Sequence, residues 1–361
     1  MHTISKKKLV YPVSKKLRKY LHTYDRERKL PLGYEDLTHY TESFPYFDKQ
    51  GQDTLWQIVL YEQHLREEIN QGLTMIYALL KTDGDISVME HLEVSRVDYC
   101  TFGNTNPFRV QIKNQLNDNY DYFYVKRADA SRIYGLELEH ILSPSRINYL
   151  VDGETLIEEH IAGIPGDVFI KEYLHRPNTN LVRIAKEFVK FNERCFIRLL
   201  GDMRSYNYVI DVTPDFEDEQ YRVRSIDFDQ QSYEGRKVMY LPQFFKDNNK
   251  VVELVLKLLK PQTVQQYLSE ERTLLYHRLK LARYRLKDLI DIMRTDTIST
   301  AEKIEQLKKD LAEHHQSEEF LRCNNMGDLV RLNLKTILTR EPRIVVNVQR
   351  KQSPGNLKKR S

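Results

Sequence analysis

Asp202, Asn207 and Asp227 are the residues whose types and spacing suggest chemistry. Asp202 and Asn207 precede the apolar run Tyr208–Val212, and Asp227 closes the apolar run Tyr221–Phe228. Between these runs lies the polar, acidic segment Thr213–Gln220, so the pattern predicts a β-hairpin. A hairpin brings its two open ends together, and the three polar side chains then converge. Phosphoryl transfer needs such a set: a carboxylate that accepts or orients the attacking hydroxyl, and hard oxygen ligands for Mg²⁺. Asp202 suits the first task, Asn207 and Asp227 the second. A surface hairpin with turn-building Asp and Asn residues is the plainer alternative, and Asp-x4-Asn alone does not decide between them. The later Ile226-Asp227-Phe228-Asp229, at a strand end, favours the chemical reading.

Gly201-Asp202-x4-Asn207 followed by Ile226-Asp227-Phe228-Asp229 resembles the catalytic core of protein-kinase-like phosphotransferases. In motif style it is nearest to the aminoglycoside phosphotransferase and choline kinase branch. Leu200 departs from that pattern, which has His before the Gly. The resemblance implies ATP and Mg²⁺ as cofactors and a hydroxyl-bearing acceptor, with Asp202 as the catalytic carboxylate and Asn207 and Asp227 as metal ligands. It implies a two-lobed α+β fold, with a small antiparallel β lobe and a larger, mostly helical lobe.

It also implies features upstream. A strand should carry a lysine for the ATP phosphates. Tyr120–Lys126 is rich in aromatic and β-branched residues. Alternation puts Tyr122, Tyr124 and Lys126 on one face and Phe123 and Val125 on the other. A glutamate on the next helix should pair with Lys126. Ala130–Leu142 has helical spacing and carries Glu137 and Glu139, of which Glu137 is preferred. Arg146–Leu150 and Thr155–His160 predict a hairpin around Val151–Glu154. The resemblance then places the adenine-binding hinge at Glu158, His160 and Ile161. A glycine cover over the phosphates falls at Gly103 and Asn104, in a strand–turn–strand over Tyr99–Ile112; a plain hairpin is the other reading. Leu181–Cys195 is an amphipathic helix whose Phe188 and Phe191 read as core.

The 361-residue chain has room for two lobes. Hydrophobic residues make up 40% and charged residues 30%, which suits a globular protein with a polar surface. Three dispersed cysteines, Cys100, Cys195 and Cys323, give neither a disulfide framework nor a metal spacing. There is no apolar run long enough for a membrane span and no secretory signal, so cytoplasm is the expectation. The formal charge of +4 concentrates at the ends. Residues 1–31 and the tail Arg340–Ser361 are basic, which allows polyanion contact or simply solvated termini.

Four parts are expected: a basic arm with helices (1–95), the small lobe (96–160), the large lobe with the catalytic loop (161–338) and a basic tail (339–361). Within the first, Asp53 would cap a helix from Thr54 to about Leu80, stopped by Asp83-Gly-Asp85. Further helices are expected over Val251–Leu259 and Thr263–Met293, and from the capping box Ser299–Glu302 to about Leu311. The favoured function is an ATP- and Mg²⁺-dependent kinase acting on a small hydroxyl compound. The alternatives are a kinase acting on protein, a pseudokinase that serves as a scaffold, and a helical polyanion-binding protein.

Overall fold

A computed structural model describes residues 8–48, 50–82, 86–103, 105–215 and 219–338. In chain order they form α1 (Lys15–Thr23), α2 (Tyr34–Leu37), β1 (Glu42–Phe47), β2 (Asp53–Leu60), α3 (Gln63–Lys81), β3 (Leu92–Cys100), β4 (Phe108–Asn114) and β5 (Tyr120–Arg127). Then follow α4 (Ala130–Leu142), β6 (Tyr149–Asp152), β7 (Thr155–Glu159), β8 (Ile164–Pro165), α5 (Gly166–Val168), α6 (Leu181–Arg198), β9 (Tyr208–Pro214) and β10 (Glu219–Ser225). Among the described residues five α-helices follow: α7 (Asn249–Leu258), α8 (Pro261–Leu281), α9 (Arg283–Met293), α10 (Ala301–His315) and α11 (Met326–Leu338).

The architecture is α+β. Seven antiparallel strands form one sheet in the order β1-β2-β3-β4-β5-β7-β6. A second, three-stranded sheet runs β10-β9-β8. Two hydrophobic cores match this division. One holds Leu73 and Ile76 of α3 against Val97, Val110, Phe123, Val125 and Ile157 of the large sheet. The other gathers α1, α4, α6 and the C-terminal helices, with Phe188 and Phe191 deep inside. Alternation along β5 works as expected, since Phe123 and Val125 point into the sheet's core.

Several expectations are corrected. The helix from Thr54 does not form: Asp53–Leu60 is strand β2, hydrogen-bonded to β1 and β3. Its Thr, Trp, Ile and Val residues suit a half-buried pleated surface, and Asp53 accepts the Leu55 N–H at the start of the strand instead of capping a helix. The helical stretch starts only at Gln63. The strand-rich part thus reaches back to Glu42, well before residue 96. The long helix over 263–293 breaks at Ala282 into α8 and α9. Thr300, not Ser299, caps α10, its hydroxyl accepting the Lys303 N–H. The segment Asp83–Asp85, Asn104 and the tail 339–361 lie outside the described residues. Among the described residues no helix is long and apolar enough to cross a membrane.

Candidate active site

The catalytic-loop candidate is built at the end of α6. Leu199 terminates that helix in the left-handed region (φ 54°), and its N–H and that of Leu200 return to Phe196 and Cys195 carbonyls. Gly201 donates to the Gln230 carbonyl and Asp202 to that of Met239. A Cβ on Gly201 would come within 3.1 Å of the Gln230 oxygen, so this close approach suits glycine. Asp202 itself is left-handed (φ 56°), a conformation Asp tolerates better than most residues. Asn207 then ties the loop to both ends of the β9–β10 hairpin. Its side-chain nitrogen donates to the Asp202 carbonyl at 2.7 Å, and its own carbonyl accepts the Ile226 N–H at 3.1 Å. Asp227 follows directly.

Leu200, where the resembling family has His, is fully buried in the helical core. Other groups brace the loop. The Gln231 side-chain nitrogen donates to the Arg198 and Leu199 carbonyls at 2.6 and 3.3 Å, and Ser232 N–H to Leu199 at 2.8 Å.

Lys126, next to last in β5, is buried on the face opposite Phe123 and Val125. Its ammonium pairs with Glu158 at 2.8 Å, because the β5–β7 register sets Tyr124 opposite Glu158 and Lys126 one diagonal step away. The helix glutamate expected as its partner is elsewhere. Glu137 accepts from Tyr20, Tyr149 and Arg285 at 2.6–3.0 Å, and Glu139 pairs with Arg198. Both expectations about the lysine's partner are therefore replaced by Glu158. Glu158 in turn is a buried ion-pair carboxylate in β7, so its side chain serves Lys126 and Arg132. His160 follows in the connection to β8. Its N–H donates to the Tyr122 carbonyl, completing the sheet, and its ring lies against Tyr122 and Tyr124. Ile161 is buried in the helical core. Gly103 sits in the β3–β4 turn, where a Cβ would come within 3.3 Å of the Cys100 sulfur.

α4 supplies a residue that sequence reasoning missed. Arg132 joins the lysine pair to the acidic segment. One edge of its guanidinium meets Glu158, with Nη2 at 2.7 Å. Its Nη1 donates to Asp227 at 2.8 Å and to Asp229 at 2.7 Å. α4 can approach this closely because a Cβ on Gly135 would already touch Phe228 and Gln231, and because the Ser131 hydroxyl donates to the Gln231 carbonyl at 2.8 Å. Lys126, Glu158, Arg132, Asp227 and Asp229 thus form one continuous chain of charges.

Burial raises the Asp202 carboxyl above its ordinary pKa; the Asp227 and Glu234 charges add to this, and Arg204 at 3.0 Å opposes it. Asp227 is likewise pushed up by burial and by the charge of Asp229. For Asp229, burial is outweighed by Arg132, Lys8 and Lys126, which hold it low. Glu158 is held low in the same way, by Arg132 and Lys126 against burial. Arg132 stays charged, since its three carboxylates outweigh its own desolvation.

Four described basic residues of the N-terminal arm are engaged within the fold. Lys8 pairs with Asp129, Arg18 with Glu27, Arg26 with Glu137 and Arg28 with Asp25.

The donor set can be tested against the expected Mg²⁺. Asn207 donates its amide nitrogen to the loop, which leaves its amide oxygen, the atom a hard cation would take, out of that bond. One Asp227 oxygen is shared by Arg132 and the Asp229 N–H, and Arg132 bridges Asp227 to Asp229. Among the described residues, no group of three or more His, Cys, Asp or Glu side chains could hold a metal ion. With Arg132 lying across both acids, the Asp227–Asp229 pair does not fit a resident divalent cation in this arrangement.

No protein-family model matches this chain, and no curated protein matches it. Solved structures of similar shape include titin kinase with its flanking domains, at 12% identity over 71% of this chain and 48% of that one, with a TM-score of 0.27. The autoinhibited serine kinase domain of the giant muscle protein titin matches at 14% identity over 72% of this chain and 83% of that one, with a TM-score of 0.26. The first match spans about half of that structure's length. Both are protein kinase domains, and neither points to the aminoglycoside phosphotransferase or choline kinase branch. At such TM-scores the likeness carries no argument about function.

Proposed function

We propose that this chain is a phosphotransferase of the protein-kinase-like kind, which moves the terminal phosphoryl group of ATP to a hydroxyl of a small molecule. The observation that carries this reading is the gathering of Asp202, Asn207 and Asp227 at the open end of one hairpin, with buried Lys126 linked to Asp227 through Glu158 and Arg132. Asp202, with its raised carboxyl pKa, is the group that takes or orients the acceptor proton. Lys126 faces the phosphates.

A second reading has its own support. Arg132 holds the acid that would otherwise bind metal, which favours a nucleotide-binding module that transfers nothing. An acceptor hydroxyl on protein is a third outcome.

One experiment separates these. Thermal melting with ATP, with and without Mg²⁺, tests for the nucleotide site, because a ligand that binds only the folded state raises the midpoint. Incubation with labelled ATP and a panel of sugars, alcohols and proteins then tests for transfer. Transfer that is lost in Asp202→Asn while the melting response stays supports the enzyme. A melting response with no transfer leaves the binding module. No response to any nucleotide overturns both.

A further inference from the structure

We infer that Arg132 is a built-in cation that takes the place of a divalent metal at the Asp227–Asp229 pair and keeps metal out of this state. The inference rests on the reading of this cleft as a nucleotide site, but its test does not.

The geometry is specific. A guanidinium presents donors in a fixed fork, suited to bridging carboxylates. Arg132 uses that fork in two directions, toward Glu158 on β7 and toward Asp227 and Asp229 after β10. It is 2% exposed, so water contributes little to holding these charges. Two cations, Lys126 and Arg132, face three carboxylates, Glu158, Asp227 and Asp229. A divalent ion placed between Asp227 and Asp229 would stand beside the guanidinium and be repelled by it. Take Arg132 away, and three carboxylates remain, with Lys126 on Glu158 and the charge of Lys8 acting on Asp229. That is a cation site in charge and in ligand type.

The fold also holds Arg132 in place. Gly135 and Ser131, on the same helix, lock α4 onto residues 228–231. Asp129, just before α4, is held by Lys8 and by the Tyr11 N–H. Arg132 therefore acts as a positioning residue that fixes Asp227. An active phosphotransferase that uses metal must first withdraw it.

The probe is Mn²⁺ alone, followed by electron paramagnetic resonance and by thermal melting of the full chain, with no nucleotide present. Wild type should bind no stoichiometric Mn²⁺ at millimolar concentration. Arg132→Gln should bind about one Mn²⁺ and regain melting temperature as metal is added, and Arg132→Lys, which keeps the charge, should bind none. Stoichiometric Mn²⁺ on wild type that disappears in Asp227→Asn overturns the inference. So does an Arg132→Gln protein that folds and binds no metal. If Arg132→Gln does not fold, Arg132→Met takes its place with the same expected Mn²⁺ binding, and a folded Arg132→Met that binds no metal overturns the inference. Failure of the nucleotide reading shows separately, as absence of any ATP response in these same proteins.

Discussion

Replacing Glu137 by Gln should destabilise the protein strongly and leave nucleotide binding intact. Glu137 is fully buried. One oxygen accepts the Tyr149 hydroxyl at 2.7 Å and Arg285 at 2.8 Å; the other accepts the Tyr20 hydroxyl at 2.6 Å and Arg285 at 3.0 Å. Arg26 adds its charge from 3.4 Å. Gln keeps the shape, and the two hydroxyls can turn to suit it, but the charge is lost and two arginines face a neutral group. Breaking a buried ion pair costs roughly 3–5 kcal/mol. The Arg285 side chain is 21% exposed, so the lower end applies, about 3 kcal/mol. With a urea slope of about 3 kcal/mol/M, the midpoint should fall by about 1 M. The effect should also depend on pH. Burial alone would raise the Glu137 pKa, but Arg285, the two tyrosines and Arg26 hold it below its ordinary value. Below that ordinary value the unfolded chain takes up the proton first, so this contribution is full at neutral pH and is lost as pH falls through the folded-state pKa. The gap between wild type and variant should therefore narrow in acid. A midpoint shift below about 0.3 M, together with a lost ATP response, would refute the reasoning and return Glu137 to the site.

Three further outcomes are expected. If Asp202 works as a base, the acid limb of transfer activity should fall at a higher pH than for an ordinary carboxylate of about 3.9, because burial and Asp227 raise its pKa and protonation removes the acceptor; a pH–rate profile reads this directly. Gly166→Ala should cost roughly 3 kcal/mol by urea melting, since its Cβ would overlap the Tyr208 ring and the Ser205 carbonyl. A thiol reagent should find no fast-reacting cysteine in the native protein: Cys100, Cys195 and Cys323 are all buried, and burial pushes the Cys323 thiol up to about 11 and that of Cys195 higher still.

What could be read in the sequence was what short-range pattern determines. The β9–β10 hairpin, the β5 strand and α4 stand where alternation and helical spacing put them. The β2 region failed because Leu55, Ile58, Val59 and Leu65 satisfy helical spacing as well as they satisfy a strand followed by a helix. What decides the matter is pairing with Glu42–Phe47 on one side and Asp98–Cys100 on the other, and no local window contains both. The same limit explains Lys126. Its partner was sought on the next helix, but the β5–β7 ladder brings Glu158 to it from 32 positions away.

Arg132 was invisible for a further reason. An arginine in the first turn of a helix ordinarily reaches into water along its flexible stem, and nothing in Ala130-Ser-Arg-Ile-Tyr marks this one as different. Only two features mark the spot, Gly135 one turn on and Asp229 two residues after Asp227, and each has a common innocent explanation taken alone. Together they amount to a helix surface that can press against an acidic segment, and a surplus of negative charge waiting there. Without a buried cation one carboxyl of such a pair would be driven toward its protonated form, so a cation is what keeps both ionised. A divalent metal would bring two positive charges to the pair and the internal arginine brings one. They differ in what they permit, since a metal leaves with its nucleotide, whereas Arg132 remains tied to the helix that carries it.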